Sequence, residues 1–284
     1  MRVMKNKKIG LALSGGGARG LAHIGFLRVL EEEGIQVDMI SGTSFGGIIA
    51  AAYAAGFSVD LLEKEALRLS KIRELIKLID VNPARRGLME GNKVREYMTQ
   101  LFGADRQIES LPLPLTLNAV DIKTGKEVVF SKGPLLTAIM STIAIAGVFP
   151  AVKYKDYLLV DGGTLNNLPI DHARAMGADI VIAVDVQTDP HHEKAPYPES
   201  TEPRGFFSLP EYFSDFYRAQ IIMINELKEA NLKIHPPDIL ISPDISPEIN
   251  MFSGFTRADE VIEAGKEAAQ KNLPELLEKC RDDP

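Results

Sequence analysis

Gly42-Thr43-Ser44-Phe45-Gly46 is a G-x-S-x-G pentapeptide. It lies between an apolar run ending at Ile40 and the helical stretch Gly47-Ile48-Ile49-Ala50. Such a pentapeptide sets a serine on a sharp strand-to-helix turn, with flanking glycines removing side chains that would clash. Ser44 is therefore a candidate nucleophile; the alternative is a serine that merely caps the helix. A serine hydroxyl is a weak nucleophile and needs a base. The later histidines offer no obvious one. His172 falls in a helical segment, His191 and His192 in a charged loop, and His235 just before two prolines. Asp161-Gly162-Gly163 differs, because it follows the apolar run Tyr157 to Val160. Its carboxylate would sit at the C-terminal end of a strand, where open α/β sheets bind ligands. The competing reading is an ordinary Asp-Gly turn.

A second glycine cluster, Ser14-Gly15-Gly16-Gly17-Ala18-Arg19-Gly20, joins the first apolar run to the first helical segment. Glycines let the backbone approach a ligand, and a helix start adds free N–H groups and a positive dipole end. The loop could receive the oxyanion of a tetrahedral intermediate. It could also hold a pyrophosphate. Gly15, Gly17 and Gly20 satisfy G-x-G-x-x-G, and Asp38 follows Gly20 by 18 positions. Against that, Asp38 precedes the apolar Met39-Ile40, whereas a ribose-binding acid follows its strand. A tight turn without any ligand is the third reading.

The elements that must position these groups follow from periodicity. Strands are expected at Lys8–Leu13, Ile35–Ile40, Leu115–Val120, Lys126–Phe130, Tyr157–Val160, Ile180–Val186 and Ile239–Ile241. Helices are expected at Leu21–Glu33, Ser44–Ala55, Val59–Ile79, Asn92–Leu101, Leu209–Lys233 and Arg257–Lys279. Strands alternating with helices imply an α/β fold with a mostly parallel sheet covered on both faces. Asp189–Arg204 reads as a surface loop, and residues 189–233 as a candidate lid or surface subregion of one domain spanning 1–284.

Composition narrows the classes. With 284 residues, 45% hydrophobic and 25% charged, the chain has the make-up of a globular domain. A net charge of −7 argues against nucleic acid as a partner and against strong attraction to anionic membranes. A single cysteine, Cys280, leaves no intramolecular disulfide and no cysteine-built zinc site. The basic start, Met1 to Lys8, leads into too short an apolar run for a secretory signal. Phe45 to Phe57 is too short to span a bilayer. A cytoplasmic protein, at most peripheral at the membrane, is the expectation.

Three motifs in order, Gly-Gly-Gly-x-Arg-Gly at 15–20, Gly-x-Ser-x-Gly at 42–46 and Asp-Gly-Gly at 161–163, resemble the patatin-like phospholipases. The resemblance extends over nearly the whole chain. Gly20-Leu-Ala-His-Ile-Gly25, Asn166-Asn167-Leu168-Pro169 and Gly177-Ala178-Asp179 look like the bacterial single-domain branch. It implies a three-layer α/β/α sandwich, a modified α/β-hydrolase-like fold. It also implies a Ser-Asp dyad of Ser44 and Asp161, an oxyanion hole from Gly15, Gly16 and Gly17, and a substrate-phosphate contact from Arg19. Gly20, Gly42, Gly46, Gly162 and Gly163 complete the motifs. The implied activity is hydrolysis of lipid or phospholipid esters, with no metal and no cofactor. His23, near the glycine loop, is read as a structural neighbour. One departure is Ala146, within Ser141–Pro150, where the family usually has proline. Seven aromatic residues (Tyr197, Phe206, Phe207, Tyr212, Phe213, Phe216 and Tyr217) cluster in a short stretch. Core packing of the following helix is the preferred reading, with a lid, membrane edge or dimer surface as alternatives. Two other classes stay open: a nucleotide-binding enzyme, and a regulatory protein on the same fold. The oligomeric state is not readable.

Overall fold

The computed structural model describes residues 7–80, 88–187, 211–249 and 253–280. In chain order the first half comprises β1 (Ile9–Leu13), α1 (Ala22–Glu32), β2 (Met39–Gly42), α2 (Ser44–Ala54), α3 (Val59–Leu69), α4 (Ile72–Ile76) and α5 (Asn92–Phe102). Then come β3 (Leu115–Asp121), β4 (Lys126–Phe130), α6 (Leu135–Thr142), β5 (Val152–Tyr154), β6 (Tyr157–Asp161), α7 (Ile170–Ala175) and β7 (Ile180–Val184). The chain continues through α8 (Glu211–Ile234), β8 (Ile239–Ile241), α9 (Ala258–Lys271) and α10 (Leu273–Cys280).

The strands form one mixed sheet in the order β5-β6-β3-β2-β1-β7-β8, with β4 also paired to β3. Its centre is parallel: β1 pairs in parallel with β2 and β7, β2 with β3, and β7 with β8. Helices cover both faces, giving the three-layer sandwich. Leu11, Leu13, Ile182 and Val184 point to one layer, filled by α1, α2, α3, α6 and α9. Ala12, Val181 and Ala183 point to the other, where Ile170 and Ala173 of α7 and Leu232 of α8 cover them. Burial on both faces is why β7 reads as an unbroken apolar run rather than an alternating one.

Ile35, the first residue of the expected Ile35–Ile40 strand, belongs to a helix end instead. Gly34, at φ 69°, and Ile35 close α1 through Gly34 N–H to Glu31 O and Ile35 N–H to Leu30 O, the paired bonds of a Schellman cap. The strand starts at Met39. Just before it, the Asp38 carboxylate accepts the Ile9 N–H at 2.7 Å. Asp38 therefore serves the N-terminal edge of the sheet, at the opposite end of β1 from the glycine loop, which removes the acid that a dinucleotide site requires. The expected Val59–Ile79 helix is broken at Lys71, whose ψ of 123° is extended. The expected closing helix is broken at Asn272, whose amide side chain bonds Ala268 O. Pro274 lies just beyond that break and has no N–H to continue the ladder.

The Asp189–Arg204 loop lies outside the described residues, as do Tyr197, Phe206, Phe207 and the side chains of Tyr212 and Phe213. Of the aromatic cluster, Phe216 is exposed and Tyr217 half-buried, so core packing does not account for Phe216. Among the described residues, no helix is long and apolar enough to cross a membrane.

α8 is fastened by a buried ion pair. Lys228 Nζ lies 2.6 Å from Asp185 Oδ2, with both side chains 8% exposed. Removing one partner strands the other charge in the interior, at roughly 3–5 kcal/mol. Lys228→Ala is expected to lower the urea midpoint accordingly, whereas Lys228→Met combined with Asp185→Leu recovers most of the loss.

Candidate active site

The elbow is built where β2 gives way to α2. Ser44 has φ 54°, the left-handed region. For a residue with a side chain this costs about 1–2 kcal/mol, so the surroundings must hold it. Thr43 N–H donates to Leu13 O at 3.1 Å. Ser44 N–H donates to Thr142 Oγ1 at 2.9 Å. Thr43 Oγ1 lies 2.8 Å from Asn118 Oδ1 and 3.0 Å from Asn166 O. The turn also presses against the first glycine loop: a Cβ at Gly46 would lie 2.3 Å from Ser14 O, closer than atoms can approach. Glycine is obligatory there for steric reasons.

The sheet register delivers the carboxylate. β4 occupies one edge of β3 from Leu117 to Asp121. The other edge is shared. β2 pairs with it up to Gly42 opposite Leu117, and β6 takes over antiparallel with Asp161 opposite Ala119. The end of β2 and the end of β6 thus meet two residues apart along β3, or about 7 Å. Across that step the Ser44 hydroxyl donates to Asp161 Oδ2 at 2.6 Å. Gly163 N–H holds the other oxygen, Oδ1, at 2.7 Å. Burial raises the Asp161 pKa to about 7, against the two hydrogen bonds, which pull it down. A carboxylate with that pKa can take a proton near neutrality far better than a solvated one.

The glycine loop lies against this pair, but its three amides are not equivalent. Gly15 N–H donates to Asn167 O at 3.1 Å, and Asn167 Nδ2 donates back to Gly15 O at 3.2 Å. Gly15 is therefore clamped, contrary to the expectation that its amide is free for an oxyanion. The N–H groups of Gly16 and Gly17 have no hydrogen-bond partner among the described residues. Asn167, which sequence reasoning noted only as part of a family stretch, orients this loop. His23 donates from Nε2 to Ser14 O at 2.9 Å. Full burial lowers its pKa to about 4, outweighing the Ser14 hydrogen bond and the Asp185 charge, so the ring is neutral.

Arg19 lines the same cleft, but its Nε donates to Val186 O at 2.8 Å and its Nη1 to Ile249 O at 2.9 Å and Ser246 O at 3.3 Å. A substrate phosphate would have to compete with those carbonyls, so the guanidinium acts first as a tether between loops. Ile145 and Ala146 line another wall, so the departure at Ala146 falls on the cleft itself. α8 forms the roof with Tyr217, Gln220, Ile221 and Ile224.

Behind the elbow, Glu127, Asp171 and His172 bring ligand-type atoms within 4.8 Å of one another. Burial pushes the imidazole pKa down, but the Glu127 hydrogen bond and the Asp171 charge outweigh it and the net shift is upward. Both carboxylates face the same ring nitrogen, Nε2, Glu127 at 3.3 Å and Asp171 at 3.6 Å, which favours protonation of the ring over metal ligation, for which it must be neutral. Asn118 Nδ2 bonds Glu127 and Asn166 Nδ2 bonds Asp171. The cluster is thereby linked to Thr43 and braces the turn.

The model of the family described as patatin-like phospholipase matches residues 11–174. An uncharacterized NTE family protein of Mycobacterium tuberculosis is 36% identical over 186 residues, covering 66% of this chain and 51% of that protein. Human patatin-like phospholipase domain-containing protein 6 is 36% identical over 203 residues, 70% of this chain and 15% of that protein. Lysophospholipase nte1 of Aspergillus niger is 28% identical over 294 aligned positions, 98% of this chain and 19% of that protein. The alignments thus span about half of these relatives or less. The chain belongs to the patatin-like phospholipase family.

The buried carboxylate has a consequence for stability. Folded Asp161 keeps its proton until about pH 7, whereas an unfolded aspartate releases it near about pH 3.9. The folded state binds more protons across that window, so stability falls as pH rises from about 4 to about 7 and then levels off. Asp161→Asn is expected to lose this slope. Its urea midpoint should match the parent near pH 4 and exceed it above pH 7; equal midpoints at alkaline pH would mean that the carboxylate is not desolvated.

Proposed function

We propose that this member of the patatin-like phospholipase family is a serine acyl hydrolase that releases fatty acids from lipid esters. The observation that carries the reading is the 2.6 Å hydrogen bond from the Ser44 hydroxyl to a buried carboxylate whose pKa lies near 7. Lysophospholipase nte1 is named for lysophospholipid hydrolysis, and the family description is that of phospholipases. Both support a lipid ester as substrate.

In this reading Asp161 Oδ2 takes the hydroxyl proton as Ser44 Oγ attacks the ester carbonyl carbon. The carbonyl oxygen becomes an oxyanion and is received by the Gly16 and Gly17 amides. Collapse breaks the ester C–O bond, and Asp161 returns its proton to the departing alcohol. Water then attacks the acyl-serine, with Asp161 again accepting a proton, and the fatty acid leaves as Ser44 regains its hydrogen. The dry site matters because a solvated aspartate is too weak a base for this exchange. Ser44, Asp161, Gly16 and Gly17 supply this cycle from the chain's own groups.

Ser44→Ala is expected to fold and to lose at least about 100-fold in kcat on a p-nitrophenyl ester. A fluorophosphonate probe should label Ser44 in the parent and leave the variant unlabelled; labelling at another serine would remove Ser44 from the role. Because the base must be ionised, kcat/KM should rise with pH and level off above the Asp161 pKa of about 7, falling about tenfold per unit below it. A profile flat from pH 5 to 9 would contradict Asp161 as base. If no ester is hydrolysed and no probe bound, the regulatory reading of the fold prevails.

A further inference from the structure

α8 carries two different faces. Its inner side roofs the cleft through Tyr217, Gln220, Ile221 and Ile224 and is pinned by Lys228 to Asp185. On its outer side Phe216, Met223, Leu227 and Ile234 are 49%, 57%, 40% and 68% exposed. Ala219 and Ala230 lie between them and are exposed too. At 3.6 residues per turn these six side chains fall on one stripe without a charged residue, extending over about 27 Å. A surface helix that ends in water places charged groups on such a face. Exposed acids, Asp215, Glu226 and Glu229, line one flank of the stripe, accompanied by Lys233.

We propose that this outer stripe docks the protein on a lipid surface with zwitterionic head groups. The proposal rests on the acyl-hydrolase reading for its purpose, since the helix that would touch lipid is also the wall of the cleft that would receive it. A surface held by the outer face lies about one helix diameter, 10–12 Å, from the cleft, so a long-chain ester need not cross bulk water to reach Ser44. The charges select the occupant. The acidic flank, on a chain of net charge −7, disfavours an anionic surface. A second copy packed antiparallel on the stripe would bring Glu226 of each copy together near the two-fold axis, where like charges repel. Docking on zwitterionic lipid meets neither obstacle. It depends on apolar contact rather than on a basic face, so it persists at high salt.

The test is flotation of the full chain with phosphatidylcholine vesicles, at low and high salt, for the parent and for Met223→Glu/Leu227→Glu. Both altered side chains are exposed, so the fold is retained, checked by circular dichroism and by hydrolysis of a short-chain soluble ester. The parent should float with the vesicles at either salt concentration. The variant's bound fraction should fall about tenfold or more, together with its hydrolysis of vesicle phospholipid, while soluble-ester hydrolysis is unchanged. Equal flotation of parent and variant overturns the proposal. So does flotation that requires anionic lipid, or a parent dimer that the variant dissolves in sedimentation equilibrium. If the parent hydrolyses no soluble ester, the acyl-hydrolase reading fails, and flotation still decides the docking surface independently.

Discussion

The rest of the site is arranged around the hydrogen bond between the Ser44 hydroxyl and the Asp161 carboxylate, both of which are buried. A carboxylate in water has a pKa near 3.9 and little appetite for a serine proton. Burial moves Asp161 to about 7, and the opposing pull of Ser44 and Gly163 keeps it from going higher. Desolvation therefore sets the proton affinity of the carboxylate, and it also makes the site a liability to the fold, since an ionised carboxylate in a buried position is unfavourable. The close packing around the pair is the compensation. Strain at Ser44, with its positive φ, adds to what the packing must hold.

That packing is organised around one edge of β3. A purely parallel sheet would continue β2 along it and leave no place for a second strand. Here β2 stops at Gly42 and β6 enters from the other direction. The two chain ends then face each other across a short stretch of edge, one carrying Ser44 and the other Asp161. Thr142, at the end of α6, holds the Ser44 amide. The segment after it holds the end of β6, through the Asp161 N–H bonded to Ala144 O. The end of α6 and the turn after it thus fix both partners. The Glu127–Asp171–His172 cluster adds rigidity behind Thr43 without touching the pair.

The parts of this site legible in the sequence are those governed by local sterics. Gly42, Gly46, Gly162 and the 15–17 run announce tight turns and close backbone approaches, and the strand-turn-helix order around Ser44 follows from apolar periodicity. What stayed hidden depends on partners distant in the chain. Nothing near Gly15 reveals that its amide meets Asn167, 152 positions away. Asp38 looks like a ribose ligand until its carboxylate is found on Ile9 N–H. The antiparallel insertion of β6 is invisible because its residues suit a parallel strand equally well. The break between α3 and α4 has no proline or glycine to mark it, and Ile35 carries a strand-like side chain while its backbone closes a helix.

α8 is where legibility and physics diverge most. Its aromatic N-terminal end suggests core, yet of the two aromatic side chains described there one faces solvent and the other lines the cleft. A helix that covers the cleft must keep water from it, which Tyr217, Ile221 and Ile224 on its inner face do beside the polar Gln220 and Lys228. Nothing in that requirement explains apolar residues on the outer face. A roof that faced only water would gain solubility from charges at positions 216, 223, 227 and 234 and lose nothing in the cleft. Their absence is a feature of the sequence that the site does not demand. In the proposed docking a lipid layer gives both faces of the same helix a use: the inner face lines the cleft at the carboxylate, and the outer face rests on the lipid.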